Sequence, residues 1–108
     1  MKNLITPDGR YLIVKDRLWR CSNPNLDEST RTQFVEDLMQ ARRAVKQAMQ
    51  KNDTAALQTA RSQVNAAKIA LGERGAVWWT DGTPDYNRKL VKNTPYADWY
   101  TAYANYAK

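Results

Sequence analysis

The stretch DESTRTQFVEDLMQARRAVKQAMQKNDTAALQTARSQVNAAKIALG, from Asp27 to Gly72, decides the fold because it carries two helical apolar patterns separated by one break. Asp27 can cap the first amides of a helix, and the pattern that follows predicts one long helix to about Lys51. The break at Lys51-Asn52-Asp53 ends this helix, and Asp53 can cap a second one that Gly72 stops. The stretch therefore predicts an αα-hairpin.

Apolar residues recur at three- and four-residue spacing along both helices, which is the stripe of an amphipathic helix. They are Phe34, Val35, Leu38, Ala41, Val45, Ala48 and Met49 in the first helix, and Leu57, Ala60, Val64, Ala67 and Leu71 in the second. We expect Leu38, Val45, Leu57, Val64 and Leu71 to be buried along one helix–helix contact. The alanines favour close approach of two antiparallel helices.

The chain before the hairpin, residues 1–25, is predicted to form a small β-element. Thr6-Pro7-Asp8-Gly9 has the chemistry of a tight turn, because Pro fixes one dihedral and Gly permits a positive φ. The apolar segments on either side of Lys15-Asp16-Arg17 then indicate a β-hairpin or a meander. An isolated two-stranded hairpin is marginal in water, so this element needs support from elsewhere in the chain.

The segment after the hairpin, residues 73–108, holds eight of the 11 aromatic residues. Thr83-Pro84 and Thr94-Pro95 each join a helix cap to the residue best tolerated at the first helical position, which predicts two short helices. Aromatic side chains share one face of the second helix, at Tyr96, Trp99, Tyr100 and Tyr103. We expect most of the aromatic residues to form core, with at least one Trp or Tyr exposed to a partner.

These segments together predict one domain of the α+β class, mainly α, since 108 residues is a common size for a single domain. A long antiparallel helical hairpin is joined to a small N-terminal β-hairpin or meander and to short aromatic-rich C-terminal helices. The sequence has neither an apolar run of signal-peptide length nor a membrane-spanning stretch, so we expect a cytoplasmic protein with no membrane insertion. The one cysteine, Cys21, cannot form an intramolecular disulfide, which agrees with that compartment.

Polar residues beside the Trp78-Trp79 pair form the best candidate for a binding site. The candidates are Trp79, Asp81, Asp85, Tyr86, Asn87 and Arg88. Asp81 and Asp85 lack the spacing of a calcium loop, so we predict neither a metal nor a cofactor. The sequence contains no histidine, no Gly-rich phosphate loop and no nucleophile motif, and it therefore favours a protein that is not an enzyme.

The net charge of +6 would attract an anionic partner, although the positive charge is spread along the chain. Only Arg10, Lys15, Arg17 and Arg20 are concentrated, and on one side of the β-element they could contact phosphates. Edge strands also carry such cations to discourage pairing, which is the interpretation that we favour.

A second basic group, Arg42, Arg43 and Lys46, lies in the later half of the first predicted helix. Positive charge is favourable near the carbonyls that end a helix, and Glu36 and Asp37 precede the group at spacings that allow weak local ion pairs. We therefore expect a structural role for these cations.

Three blocks of the sequence carry a resemblance: LWRCSNPNL before the long helix, then LGERGAVWWTDGTPDYNR, and finally LVKNTPYADWY. Over about residues 18–100 the chain resembles a group of short bacterial proteins, some of which carry the label biopolymer transporter. A transporter subunit would be expected to contain a membrane segment, so this label is not carried over. The resemblance implies no catalytic residue.

Two functions follow as hypotheses. We expect a non-catalytic protein-interaction module with an unidentified protein partner. We also expect it to form a homodimer, because the hairpin and the aromatic cluster have more apolar surface than one copy can cover. The alternative is weak, sequence-independent binding of nucleic acid through phosphate contacts and a stacking aromatic residue.

Overall fold

The computed structural model describes residues 4–106, and it confirms the predicted α+β, mainly α fold. The elements in chain order are β1 (Leu4–Ile5), β2 (Tyr11–Val14), β3 (Arg17–Arg20), α1 (Glu28–Gln50), α2 (Thr54–Leu71), a 3-10 turn (Val91–Asn93) and α3 (Ala97–Tyr106). They divide between two compact units, a helical unit of residues 22–78 and a sheet unit that joins residues 4–21 to residues 79–106. The predicted β-element and most of the aromatic-rich segment therefore build one unit; residues 1–3 of that element lie outside the described range.

The helical unit begins and ends its helices at the predicted capping residues. The Asp27 carboxylate accepts the Thr30 amide at 2.7 Å, and the Asp53 carboxylate accepts the Ala56 amide at 3.0 Å. Gly72 ends α2 with a φ of 89°, a left-handed conformation that glycine adopts without a steric penalty. The αα-hairpin predicted from the sequence is confirmed.

The contact between α1 and α2 is made mainly by small side chains. The buried residues are Leu38, Ala41 and Ala48 in α1, and Ala60, Ala67 and Leu71 in α2. Among the five residues predicted to be buried together, Leu38 and Leu71 are buried, while Val45, Leu57 and Val64 are half-buried. Alanine at the contact permits close approach of the helices, but it leaves the larger aliphatic side chains at the edges of the hairpin.

Two members of the predicted apolar stripe of α1 do not face α2. Val35 and Met49 are 37% and 56% exposed. At about 100° per residue, Val35 lies about 60° and Met49 about 20° around α1 from Leu38, on the side opposite to the buried Ala41 and Ala48. The apolar stripe of α1 is therefore wider than its contact with α2, and Val35 and Met49 lie on an exposed surface.

The sheet unit contains an antiparallel meander in the order β1-β2-β3, as the sequence predicted. The first turn closes through the Gly9 amide, which donates to the Thr6 carbonyl at 2.9 Å. In the second turn Lys15 and Asp16 have φ values of 52° and 67°, the left-handed pair that matches the twist of a two-residue hairpin.

One face of the meander is buried and the other is partly open. Tyr11, Ile13, Leu18 and Arg20 are buried on the first face, and Tyr11 is paired with Arg20 and Ile13 with Leu18 across the strands. The chain between residues 88 and 90 runs along β3: the Arg88 amide donates to the Leu18 carbonyl at 2.7 Å, and the Leu18 amide donates to the Lys89 carbonyl at 3.0 Å. This pairing supplies the support that a small meander needs.

The helix predicted at Thr83-Pro84 is absent, and the chain there is irregular. The Thr83 amide donates to the Asp81 carboxylate at 3.0 Å, so Asp81 organises a local turn, and the following residues are held by contacts with the strands. Long-range pairing therefore overrides the local helix signal.

The helix predicted at Thr94-Pro95 is present as α3, and the Thr94 hydroxyl accepts the Tyr96 amide at 3.3 Å. On its aromatic face Tyr96, Trp99 and Tyr100 are half-buried and Tyr103 is exposed. No helix within residues 4–106 is both long enough and apolar enough to cross a membrane.

Candidate functional site

Two arginines of the predicted phosphate-contacting set form ion pairs with two aspartates of the predicted binding site. Arg10 forms an ion pair with Asp81, and Arg20 Nη1 lies 2.8 Å from Asp85 Oδ2. The Arg20 side chain is 0% exposed, so its guanidinium is fully withdrawn from solvent. A phosphate contact through Arg20 would require this buried pair to open.

Tyr11 on β2 connects this network to the irregular segment. Its hydroxyl donates to Asp85 Oδ1 at 3.2 Å and accepts the Tyr86 amide at 2.8 Å. Asn87 completes the arrangement, because its side-chain oxygen accepts the Arg20 amide at 2.9 Å. We call Arg10, Tyr11, Arg20, Asp81, Asp85 and Asn87 the polar network.

Aromatic rings enclose one side of the polar network. Trp79 is buried, its indole N–H donates to the Thr83 carbonyl at 2.7 Å, and its ring meets Tyr11 edge-on at 5.8 Å between centroids. The Arg10 guanidinium carbon lies 4.7 Å from the centroid of the Trp79 ring, within the range of a cation–π contact. Trp79 therefore packs inside the sheet unit.

The remaining predicted residues contribute through their backbone or lie at the surface. The half-buried Tyr86 ring is edge-on to Tyr96. Arg88 has a φ of 72°, and its carbonyl accepts Arg17 Nη1 at 2.8 Å. Lys15 lies exposed in the β2–β3 turn. Of the five cations predicted for the two candidate sites, Lys15, Arg17 and Arg88 are exposed, while Arg10 is half-buried and Arg20 is buried.

The network also fixes charge states. The hydrogen bond from Arg10 lowers the pKa of Asp81 to about 2, and the same contact raises the pKa of Arg10. Burial raises the pKa of Tyr11 to about 12. Asp81 is therefore ionised and Tyr11 is neutral near neutral pH.

A second hydrogen-bonded group, which no sequence pattern indicated, lies beside the first turn. The Tyr96 hydroxyl donates to Asp8 at 2.5 Å. The pKa of Tyr96 is raised mainly by burial and also by this hydrogen bond. Burial opposes ionisation of Asp8, but hydrogen bonds from Tyr96, Thr6 and the Arg10 amide outweigh it and lower the pKa of Asp8. The sequence predicts only a turn at Asp8, because its Tyr96 partner is 88 positions away.

Asp81 and Asp85, for which we predicted no metal, each form an ion pair with an arginine. Within residues 4–106 no three His, Cys, Asp or Glu side chains lie together as metal ligands. The side chains of Arg10, Arg20, Asp81, Asp85 and Asn87 are thus used in contacts inside the sheet unit.

The helical unit contains an open surface, a groove of about 390 Å³ along one edge of the hairpin. Val45 of α1 and Val64 of α2 line its floor, and Arg42, Arg61 and Arg74 surround them. We call these five residues the basic groove. The sequence analysis missed it because its residues come from three separate segments and are brought together only when the hairpin closes.

Exposed apolar side chains extend the surface along α1. Val35, Met39 and Met49 are 37%, 53% and 56% exposed. With about 100° of rotation per residue they share an arc of roughly 80° with Arg42 and Lys46. We call these five residues the basic face of α1, and Arg42 belongs to it and to the basic groove.

The cations of the basic groove have no acidic partner in the described chain. None of the ion pairs within residues 4–106 includes Arg42, Arg61 or Arg74. The weak ion pairs expected from Glu36 and Asp37 to the group Arg42, Arg43 and Lys46 are not formed. Arg74 donates one hydrogen bond, to the Asn65 side-chain oxygen at 3.0 Å. Four of the six carboxylates of the helical unit are engaged elsewhere: Asp27 and Asp53 cap helices, Asp37 accepts Gln33, and Glu73 accepts Ser22.

The basic groove is therefore an apolar floor bordered by positive charge that the described chain does not neutralise. No family model, curated protein or solved structure matches the chain.

Proposed function

We propose that the chain is a non-catalytic protein-interaction module, and that its basic groove holds an acidic, amphipathic segment of a protein partner. The observation that carries the proposal is the set of three arginines around two valines, with no carboxylate partner for the arginines among residues 4–106. The proposal moves the binding surface away from Trp79 and its neighbours, since those side chains have partners within the sheet unit.

The apolar floor supports a partner with aliphatic or aromatic side chains. Val45 and Val64 are half-buried at the bottom of the groove, and a volume of about 390 Å³ accommodates one or two large side chains. Met39 and Met49 supply flexible thioether side chains along the same helix, which adapt to different apolar shapes.

The arginines support acidic residues in that partner. A guanidinium group offers a planar fork of donors that matches a carboxylate in two parallel hydrogen bonds. Three such groups from different segments fix the register of a bound peptide more firmly than a single cation would. The matching ligand is a helix with apolar residues at three- and four-residue spacing and glutamates beside them, laid along the groove.

A ligand that binds through charge alone fits the basic groove less well. Nucleic acid binds through phosphates without requiring aliphatic contacts, so the valine floor and the exposed methionines would remain unused. We therefore favour a protein segment over DNA or RNA.

The test uses a designed, fluorescently labelled helical peptide with leucines on one face and glutamates flanking them, and a control peptide in which every glutamate is glutamine. Fluorescence anisotropy should show binding of the acidic peptide and at least roughly tenfold weaker binding of the neutral one. Arg42→Glu/Arg61→Glu should abolish binding. Arg42→Glu alone should weaken binding, and Arg43→Glu is its matched control, because it makes the same single charge reversal on α1 outside the groove.

Two results would contradict the proposal. One is acidic-peptide binding that is equal in the wild type and in Arg42→Glu/Arg61→Glu. The other is stronger binding of an oligonucleotide than of the acidic peptide through the same arginines, which would favour the nucleic-acid function instead.

A further inference from the structure

The hairpin has a second uncovered face, on the other side of the α1–α2 contact from the basic groove. Two adjoining depressions of about 450 and 460 Å³ run along it. Ala41, Ala44, Ala66, Ala67 and Ala70 line the first together with Phe34, and four further alanines line the second. The two depressions share Ala44 of α1 and Gln63 of α2, which therefore mark the middle of the face.

The side chains on this face are arranged symmetrically about that middle. On α2, Ala56 and Ala70 lie seven residues before and after Gln63, in the second and first depression. Asp37 on α1 lies seven residues before Ala44 and Lys51, the C-cap of α1, lies seven residues after it, again in opposite depressions. Seven residues are two helical turns, or about 10.5 Å, so each pair lies along one line of its helix.

The charges at the two ends are of opposite sign, which makes the face complementary to itself. Asp37 accepts one hydrogen bond from Gln33, and within residues 4–106 neither Asp37 nor Lys51 forms an ion pair. Asp53, which also lines the second depression, caps α2. A second copy turned by 180° about an axis through Ala44 and Gln63 would place its Lys51 opposite Asp37 and its Asp37 opposite Lys51.

We infer that this face is the interface of a homodimer whose twofold axis passes at the level of Ala44 and Gln63. Each helix then lies antiparallel to its own copy, and the two hairpins form a four-helix bundle. Alanine permits the short interhelical distance, and Gln40 and Gln47 of one copy meet Ala48 and Ala41 of the other. The inference does not depend on the proposed peptide site, which lies on the other edge of the hairpin.

The size of the face indicates a dimer of moderate affinity. Two helices with axes about 9 Å apart, each about 10 Å across, form a face about 19 Å wide. Over a length of about 27 Å this face presents on the order of 500 Å² for each copy. The pair would bury on the order of 1,000 Å², the lower limit for a specific interface. Dimerisation should therefore depend visibly on protein concentration in sedimentation velocity.

Charge reversal gives a decisive test. Asp37→Lys alone places lysine opposite lysine twice in the dimer, and Lys51→Glu alone places acid opposite acid twice, so each variant should dissociate roughly tenfold or more easily than the wild type. An equimolar mixture of the two variants should restore the dimer, because both contacts are again of opposite sign only in the mixed pair. Glu36→Lys and Arg43→Glu are controls on the outer side of α1 and should sediment like the wild type.

A cysteine experiment locates the axis independently of charge. In a Cys21→Ser background, Ala44→Cys should form an intermolecular disulfide on mild oxidation, because Ala44 lies opposite its own copy. Ala70→Cys should not, since its copy lies roughly 21 Å away along the helices. Circular dichroism establishes that each variant retains its helices.

The inference fails if the wild type remains a monomer across the concentration series, or if the mixture of charge variants does not re-form the dimer. It also fails if Ala70→Cys crosslinks as readily as Ala44→Cys. If the wild type dimerises but does not bind the acidic peptide, only the proposed function is contradicted. If it binds the peptide but remains a monomer, only this inference is contradicted.

Discussion

Arg20 shows how a residue chosen for one chemistry serves another in the folded chain. Its place in a basic run suggested a phosphate contact, but it alternates with exposed neighbours on β3 and therefore points to the buried face of the meander. There its guanidinium meets Asp85, whose carboxylate also accepts the Tyr11 hydroxyl and the Asn87 amide. A buried charge requires such partners, because desolvation would otherwise make it unfavourable.

Removal of the Arg20 charge should therefore destabilise the protein. Arg20→Met retains much of the side-chain volume but leaves Asp85 without its cation, and we expect the free energy of unfolding to fall by about 2 kcal/mol or more. Lys89→Met makes the same chemical change at an exposed position and should alter it by less than about 0.5 kcal/mol. Urea denaturation measures both. Equal effects of the two substitutions would show that the ion pair does not stabilise the sheet unit.

Among the elements, the helices could be predicted in detail because their signals are local. Asp27, Asp53 and Gly72 act within three or four residues of their positions, and the structure shows each of them at a helix end. The helix predicted at Thr83-Pro84 failed because Asp81 and Asn87 are engaged in turn and strand contacts. The polar network could not be predicted, since its members lie about 65 to 75 positions apart in sequence. The basic groove was missed for the same reason.

Burial within α2 gives the prediction that belongs to this scale. Leu71 is 1% exposed at the helix–helix contact and Ile69, two residues before it, is 47% exposed. Leu71→Ala should lower the free energy of unfolding by about 3 kcal/mol, because it removes buried methyl groups and leaves a cavity. Ile69→Ala should lower it by less than about 1 kcal/mol. Thermal or urea unfolding of the two variants compares them, and a larger effect at Ile69 would contradict the observed orientation of α2.

For the whole molecule, the net charge of +6 has a different meaning in each unit. In the sheet unit Arg10 and Arg20 are neutralised by aspartates, so the basic run near the N-terminus loses two of its four candidate phosphate contacts. In the helical unit Arg42 and Arg61 form no ion pair within the described chain. By sequence, residues 1–21 and 79–108 still have nine basic against five acidic residues and the helical unit has eight against six, so the helical unit is distinguished not by its net charge but by the three arginines grouped around an apolar floor.

Oligonucleotide binding should accordingly be weak, independent of sequence and steeply dependent on salt. If the three arginines of the basic groove each displace one counterion from DNA, the dissociation constant should rise about 40-fold between roughly 50 and 200 mM salt. Arg42→Glu/Arg61→Glu should abolish the binding, and Arg17→Ala should change it little.

Binding of the acidic peptide should weaken less over the same range, because its aliphatic contacts with Val45 and Val64 do not depend on salt. Fluorescence anisotropy with both probes in one salt series makes the comparison. Tight oligonucleotide binding that persists at physiological salt, with the peptide released first, would assign the groove to nucleic acid and reject the protein-interaction function.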